Sequence, residues 1–82
     1  MVRKTVTVGK HDGQTTETAA RAVQLAESFE STVRIISGDK MLNAKSIMGM
    51  LTLPFTPGDC LDVEVSGPDE DKAISAMEEY LS

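Results

Sequence analysis

The chain has 82 residues, of which 13 are acidic and 8 are basic, and its formal net charge is −5. This length suits one domain with a modest core, and the acidic balance argues against nucleic acid or an anionic membrane as a direct partner, because both need a basic footprint. No run approaches the ~20 apolar residues of a membrane span, the N-terminus lacks the apolar core of a signal peptide, and the single Cys60 cannot form an internal disulfide. We therefore expect one domain over residues 1–82, located in the cytoplasm, without a metal or another cofactor.

The first half of the chain predicts a strand, a helix and a hairpin. Residues 2–8 alternate between apolar and polar side chains, although Lys4 interrupts the apolar face. An amphipathic helix is expected from Thr15 or Thr16 to about Ser28. A β-branched run over residues 32–36, a turn at 37–39 and a short return over 40–44 then predict a β-hairpin. The buried stripe of the helix is predicted to consist of Ala19, Ala22, Val23 and Ala26.

The second half predicts a short helix, a strand and a final helix. The short helix is expected from Ser46 to Leu53, and the clearest strand pattern of the chain covers residues 60–66. Pro68 suits the first position of the last helix, and the acidic residues that follow it favour the positive end of the helix dipole. The predicted order is therefore β-α-β-β-α-β-α, an α+β arrangement with helices on one face of the sheet.

The segment around Ser46 offers the most informative chemistry. Ser46 is a good helix N-cap, and the apolar residues that follow it are too numerous for one short helix to bury. We expect Ile47 and Met48 to stay exposed beside the hydroxyl, with Lys45 next to it. This arrangement suits a phosphorylation switch with a docking surface. Local chemistry alone favours the simpler interpretation that Ser46 is only a cap and that the methionines fill gaps in the core.

The run from Asn43 to Gly49, Asn-Ala-Lys-Ser-Ile-Met-Gly, closely resembles the regulatory-serine segment of HPr, the small phosphocarrier of the bacterial sugar phosphotransferase system. It is most similar to the variant called catabolite-repression HPr, and the resemblance covers nearly the whole chain. It implies the HPr-like open-faced sandwich, with a four-stranded antiparallel sheet and three helices on one face. It also implies that Ser46 is phosphorylated by HPr kinase/phosphorylase and that a catabolite control repressor then binds Lys45, Ile47 and Met48.

The resemblance breaks at the start of the first helix. HPr proteins carry phosphate on a histidine in a Gly-Leu-His-x-Arg-Pro-Ala-Ala stretch, and the matching run here is residues 13–20. The histidine falls on Thr15, the arginine on Glu17 and the proline on Thr18. Threonine is a poor nucleophile without an adjacent base, and Glu17 would repel an incoming phosphate. We therefore expect Thr15 to cap the helix rather than to carry phosphate.

The single histidine, His11, lies four residues before Thr15 and is interpreted as a solvated loop residue. The leading prediction is a non-enzymatic regulatory protein that acts as a corepressor in the carbon regulation of a Gram-positive-type bacterium. Two alternatives stay open. One is a phosphocarrier that uses His11 or Thr15 as its acceptor, and the other is an interaction module that has lost both phosphorylations, with Glu17 mimicking a permanent charge.

Overall fold

The computed structural model describes residues 1–10 and 15–82, and it contains four strands and three helices within those ranges. The expectations for His11 and Gly13 lie outside the described residues. The elements run in the predicted order: β1 (Val2–Thr7), α1 (Thr15–Glu27), β2 (Thr32–Ser37), β3 (Lys40–Asn43), α2 (Ile47–Met50), β4 (Cys60–Ser66) and α3 (Glu70–Leu81).

The strands form one antiparallel sheet in the spatial order β1-β4-β2-β3. In β4 the side chains alternate as expected, with Leu61, Val63 and Val65 buried between half-buried polar neighbours. The helices cover the apolar face, and the other face is polar. The predicted open-faced sandwich is therefore confirmed.

The core lies between the sheet and the helices. The predicted stripe of α1 is fully buried, and its small alanines let the helix approach its neighbours closely. On the open face of the sheet, Arg3 on β1 binds the Asp62 carboxylate on β4 at 2.6 Å. Thr5 donates to the same carboxylate at 2.7 Å. The buried apolar side chains are Val6, Val8, Ala19, Ala22, Val23, Ala26, Val33, Ile35, Ala44, Met50, Leu53, Phe55, Leu61, Val63, Val65, Ala73, Ile74, Met77 and Leu81.

The last helix begins later than the sequence predicts. Asp69, not Pro68, directly precedes α3, and its carboxylate makes no cap bond to its own helix. It accepts hydrogen bonds from the backbone amides of Glu30 and Ser31, each at 3.0 Å, and from the Ser31 hydroxyl. The Asp69 amide in turn donates to the Ser31 hydroxyl at 3.3 Å. These bonds, which we call the Ser31–Asp69 clamp, join the start of α3 to the segment between α1 and β2.

The clamp requires a glycine beside it. Gly67 has a φ of +153°, and a Cβ atom there would lie 2.6 Å from the Ser31 Cα atom and 2.8 Å from its Cβ atom. Separations below about 3.0 Å do not occur for real Cβ atoms, so a side chain at this position would push the two segments apart. Close backbone approach, rather than turn geometry alone, explains the glycine.

Candidate functional site

Ser46 caps α2 as predicted. Its backbone is extended, with φ −102° and ψ 111°, and its hydroxyl oxygen accepts a hydrogen bond from the Gly49 amide at 3.4 Å. Its carbonyl accepts the first bond of the helix, from the Met50 amide at 3.0 Å. The hydroxyl therefore lies at the positive end of a short helix, next to backbone amides that can stabilise a negative charge.

A tight turn after β3 fixes the position of Ser46. The Asn43 side chain accepts a hydrogen bond from the Lys45 amide at 2.9 Å, and the Asn43 carbonyl accepts one from the Ser46 amide at 2.9 Å. The Ala44 amide donates to the Val33 carbonyl at 2.8 Å, which keeps the chain attached to the sheet immediately before this turn. An asparagine that bonds its own backbone two residues on is a well-defined local turn. These three hydrogen bonds hold the backbone immediately before and at Ser46 in place.

Three apolar side chains of this region are exposed, and we call them the α2 patch: Ile47, Met48 and Leu51. Their exposed fractions are 40%, 76% and 41%, whereas Met50 is fully buried. The predicted exposure of Ile47 and Met48 is confirmed. Leu51 was not predicted to be exposed, since the expected helix ran to Leu53.

The helix instead ends at Met50, and the chain turns immediately. Thr52 and Leu53 donate their amides to the carbonyls three residues earlier, at 3.1 Å each, which tightens the last turn. This turn buries Leu53 in the core and leaves Leu51 on the surface. The sequence signal for this outcome is weak, because several apolar residues follow one another without a clear period.

Lys45 is engaged in a contact that the sequence did not indicate. Its ammonium donates to the Phe29 carbonyl at 2.8 Å, two residues beyond the end of α1. Cations suit this position because the carbonyls at a helix C-terminus lack partners within the helix. The Lys45 ammonium is therefore already bonded just beyond the end of α1.

The positions that match the phosphoryl-carrying stretch of HPr have different environments. Thr15 is the first residue of α1 and is exposed, and its hydroxyl donates to the Pro54 carbonyl at 3.3 Å. The expectation that Thr15 is the N-cap is wrong by one residue, because the helix has already begun there. Glu17 is exposed in the first turn. Thr18 is buried, and its carbonyl accepts a hydrogen bond from the Tyr80 hydroxyl at 3.0 Å.

The start of α1 and the α2 region are connected. The two helices pack together, and the bond from Thr15 to Pro54 ties the first turn of α1 to the loop after α2. Within residues 1–10 and 15–82, no hydrogen bond or ion pair joins Glu17 to Ser46. In those same ranges, no three His, Cys, Asp or Glu side chains come together as a metal site would require, and no helix is long and apolar enough to cross a bilayer.

The chain matches known proteins over nearly its whole length. Residues 2–82 match the family model described as "PTS HPr component phosphorylation site". The phosphocarrier protein HPr of Treponema pallidum (strain Nichols) is 41% identical over 78 residues, which cover 95% of this chain and 89% of that protein. The HPr-like protein Crh of Halalkalibacterium halodurans is 36% identical over 81 residues, covering 99% of this chain and 96% of Crh.

Solved structures agree with the sequence relatives. The crystal structure of a phosphocarrier protein HPr from Bacillus anthracis superimposes with a TM-score of 0.91 at 33% identity, covering 99% of this chain and 96% of that one. The match extends over all seven elements, and it includes both the α2 region and the start of α1. The chain therefore belongs to the HPr family.

Proposed function

We propose that this chain is a regulatory member of the HPr family, switched by phosphorylation of Ser46. HPr kinase/phosphorylase transfers the γ-phosphoryl group of ATP to the Ser46 hydroxyl, and a catabolite control repressor then binds the phosphorylated protein. The observation that carries this proposal is the placement of Ser46, a capping hydroxyl directly beside three exposed apolar side chains. In this proposal the chain, the kinase and the repressor are all located in the cytoplasm.

The identity of residue 15 supports regulation rather than phosphoryl transfer. As a member of the HPr family the chain is not an enzyme. A carrier needs a group that accepts phosphate readily and then passes it on, and a neutral imidazole does both near pH 7. Thr15 offers an alcohol whose hydroxyl hydrogen is bonded to Pro54. A threonine phosphoester would also be a poor donor to further partners.

Phosphorylation of Ser46 would change the charge of the surface without requiring a new fold. The group adds a charge of about −1.5 to −2 at pH 7. The Gly49 amide that now bonds the hydroxyl can bond a phosphate oxygen instead, and the start of α2 favours the negative charge. The phosphate must therefore act by changing the affinity of this surface for a partner protein.

The partner we propose has two matching features. An apolar groove would cover Ile47, Met48 and Leu51, and Arg or Lys side chains at its rim would bind the phosphate. The rim cations are needed because Lys45, the nearest basic residue in sequence, is bonded to Phe29. With a net charge of −5, the unmodified chain already favours a basic partner surface.

The test is phosphorylation followed by binding. The protein is incubated with HPr kinase/phosphorylase, ATP and magnesium, and peptide mapping by mass spectrometry locates any phosphate. Ser46→Ala should abolish the modification, whereas Ser28→Ala, at an exposed serine near the end of α1, should not. Calorimetric titration with the repressor should then show tighter binding of the phosphorylated form.

Two results would contradict the proposal. If Ser46 is not modified, there is no switch. If the phosphorylated and unmodified proteins bind the repressor equally, the chain is instead a constitutive interaction module in which Glu17 supplies a permanent charge.

A phosphocarrier role is the second candidate, and the relatives named phosphocarrier protein HPr favour it. It requires His11 or Thr15 to accept phosphate from phosphoenolpyruvate through enzyme I. Incubation with enzyme I, phosphoenolpyruvate and magnesium should leave the mass unchanged if our proposal is right, and an acid-labile phosphate would establish the carrier role. Thr15→His should recover little acceptance by itself, because Glu17 opposes the incoming charge, and adding Glu17→Arg should recover more.

A further inference from the structure

The methionines of the chain fall into two groups by accessibility. Met50 and Met77 are fully buried, whereas Met1 and Met48 are each 76% exposed and Met41 is 59% exposed. A peroxide in water reaches an exposed thioether far more readily than a buried one. The surface and the core are therefore expected to differ sharply in their oxidation.

Met48 differs from Met41 in its surroundings. The Met41 sulfur lies on the hairpin, 3.9 Å from the Arg34 guanidinium, which covers part of it. Met48 lies on α2 between Ile47 and Leu51, and its sulfur makes no hydrogen bond in the described part of the chain. It presents the largest exposed fraction of the α2 patch, so the apolar character of this patch depends most on Met48.

We propose that Met48 is a reversible oxidation site at which a hydroperoxide switches off docking by the α2 patch. This inference rests on the proposed function, because it concerns the same surface. The sulfur lone pair attacks one peroxide oxygen, and the S–O bond forms as the O–O bond breaks. The second oxygen takes up the proton of the attacked oxygen and leaves as water, or as an alcohol when the hydroperoxide is organic. The sulfur is oxidised by two electrons and the peroxide is reduced. A reductase with two thiols reverses the step, giving the thioether, a disulfide and water.

The fold should tolerate this modification. The added oxygen on Met48 faces water, where its hydrogen-bonding capacity is satisfied without displacing any core side chain. The buried Met50 lies only two residues further along, and its oxidation would instead place a polar group in the core. Mild oxidation should therefore alter the surface alone.

Binding through the α2 patch, in contrast, should be weakened by oxidation of Met48. In the proposed complex the Met48 side chain enters an apolar groove, where a sulfoxide oxygen would lose its water without gaining a donor. Ile47 and Leu51 would still be apolar, but each is only about two-fifths exposed. We expect affinity for the repressor to fall by about tenfold.

The experiment uses the full chain phosphorylated on Ser46, treated briefly with hydrogen peroxide and mapped by mass spectrometry. Binding to the purified repressor is measured by calorimetry before treatment, after treatment, and after methionine sulfoxide reductase with thiol. Met48→Leu keeps the patch apolar and cannot be oxidised, and Met41→Leu is the matched control at an exposed methionine outside the patch. The thermal midpoint of each sample reports whether the fold is intact.

The expected result is loss of binding for the oxidised protein and for oxidised Met41→Leu, retention by oxidised Met48→Leu, and recovery after the reductase. Equal loss in oxidised Met48→Leu, or unchanged binding when Met48 is fully oxidised, would overturn the inference while leaving the proposed function intact. Failure of the untreated phosphorylated protein to bind would refute the proposed function and this inference together.

Discussion

The residues directly before α2 and α3, Ser46 and Asp69, both carry side-chain oxygens, but only Ser46 uses its oxygen to cap its own helix. The Ser46 hydroxyl accepts a long bond of 3.4 Å from its own helix and leaves apolar neighbours in water. The Asp69 carboxylate makes no bond to its own helix. It accepts hydrogen bonds from the amides of Glu30 and Ser31, 38 to 39 residues away in sequence. The start of α3 is tied to a distant segment and stabilises the fold, whereas the Ser46 hydroxyl at the start of α2 bonds, among the described residues, only its own helix.

The largest effect is expected from Gly67→Ala, which inserts a Cβ atom into the Ser31–Asp69 clamp. The positive φ and the contact at 2.6 Å together should lower the free energy of unfolding by roughly 3 kcal/mol. Gly38→Ala is the control, because its φ is also positive, at +59°, but no atom lies within 4 Å of the added carbon. Urea unfolding of both variants measures the difference, and equal losses would show that backbone strain alone matters at Gly67.

Ser31→Ala should remove roughly 1–2 kcal/mol at pH 7, because it deletes the buried hydroxyl of the clamp. It should also change the acid dependence. Hydrogen bonds from the Ser31 hydroxyl and, next, from the Glu30 amide lower the pKa of Asp69 below its usual 3.8. The unfolded chain therefore binds this proton more readily, so the stabilisation is fully present well above the ordinary pKa of 3.8 and is lost as the pH falls through the folded pKa.

Unfolding midpoints from pH 7 down to pH 2 measure this effect. The difference between the wild-type protein and Ser31→Ala should shrink as Asp69 becomes protonated. Some acid dependence should persist in both proteins, because a hydrogen bond from Arg3 lowers the pKa of Asp62 on the opposite face of the sheet. A constant difference at every pH would mean that Ser31 stabilises the fold independently of the Asp69 charge.

Ser46→Ala should cost only about 0.5 kcal/mol, at the low end of the range for an N-cap, because the bond to Gly49 is long. Phosphorylation by the kinase should nevertheless be lost completely. A denaturation curve and a kinase assay on the same preparation test both statements. A destabilisation as large as that of Ser31→Ala would place Ser46 with the structural caps and remove the contrast between the two helix starts.

Met48→Lys should change stability least, by no more than about 0.5 kcal/mol, because the side chain is exposed. It should weaken repressor binding, since a charge would enter the apolar groove. Met50→Lys is the opposing case, because that position is fully buried and the domain should unfold. Thermal melts separate the two variants, and a large loss of stability in Met48→Lys would contradict the assignment of the α2 patch to the surface.

Local patterns predict the elements of this fold well, and they predict contacts between distant segments poorly. The alternation in β4 and the alanine stripe of α1 are direct consequences of burial on one face, so each was identified correctly. The position of Asp69 before α3 was missed because proline at a helix start is a local preference, whereas the carboxylate serves a loop far away in sequence. The bond from Lys45 to Phe29 has no sequence signal for the same reason.

Prediction of the candidate site was limited in the same way. Ser46 was predicted as the cap because serine is a preferred capping residue. Ile47 and Met48 were predicted to be exposed because more apolar residues follow Ser46 than one short helix can bury. The exposure of Leu51 depends on where the helix ends, which is decided by the three-residue hydrogen bonds of Thr52 and Leu53. Thr15 was predicted to precede α1, whereas it is already the first residue of that helix, and its hydroxyl bonds Pro54, 39 residues away in sequence.

The strand order has a consequence for how the protein folds during synthesis. β4 lies between β1 and β2 in the sheet, so β1 pairs with residues 60–65 and has its place in the sheet only through them. While β4 is still inside the ribosome, only the β2–β3 hairpin can form among these strands, and β1 is left with an unpaired edge. Assembly of the sheet is therefore governed by long-range contacts and must wait until the residues of β4 have emerged. During that interval the unpaired edge of β1 is open to pairing with other strands.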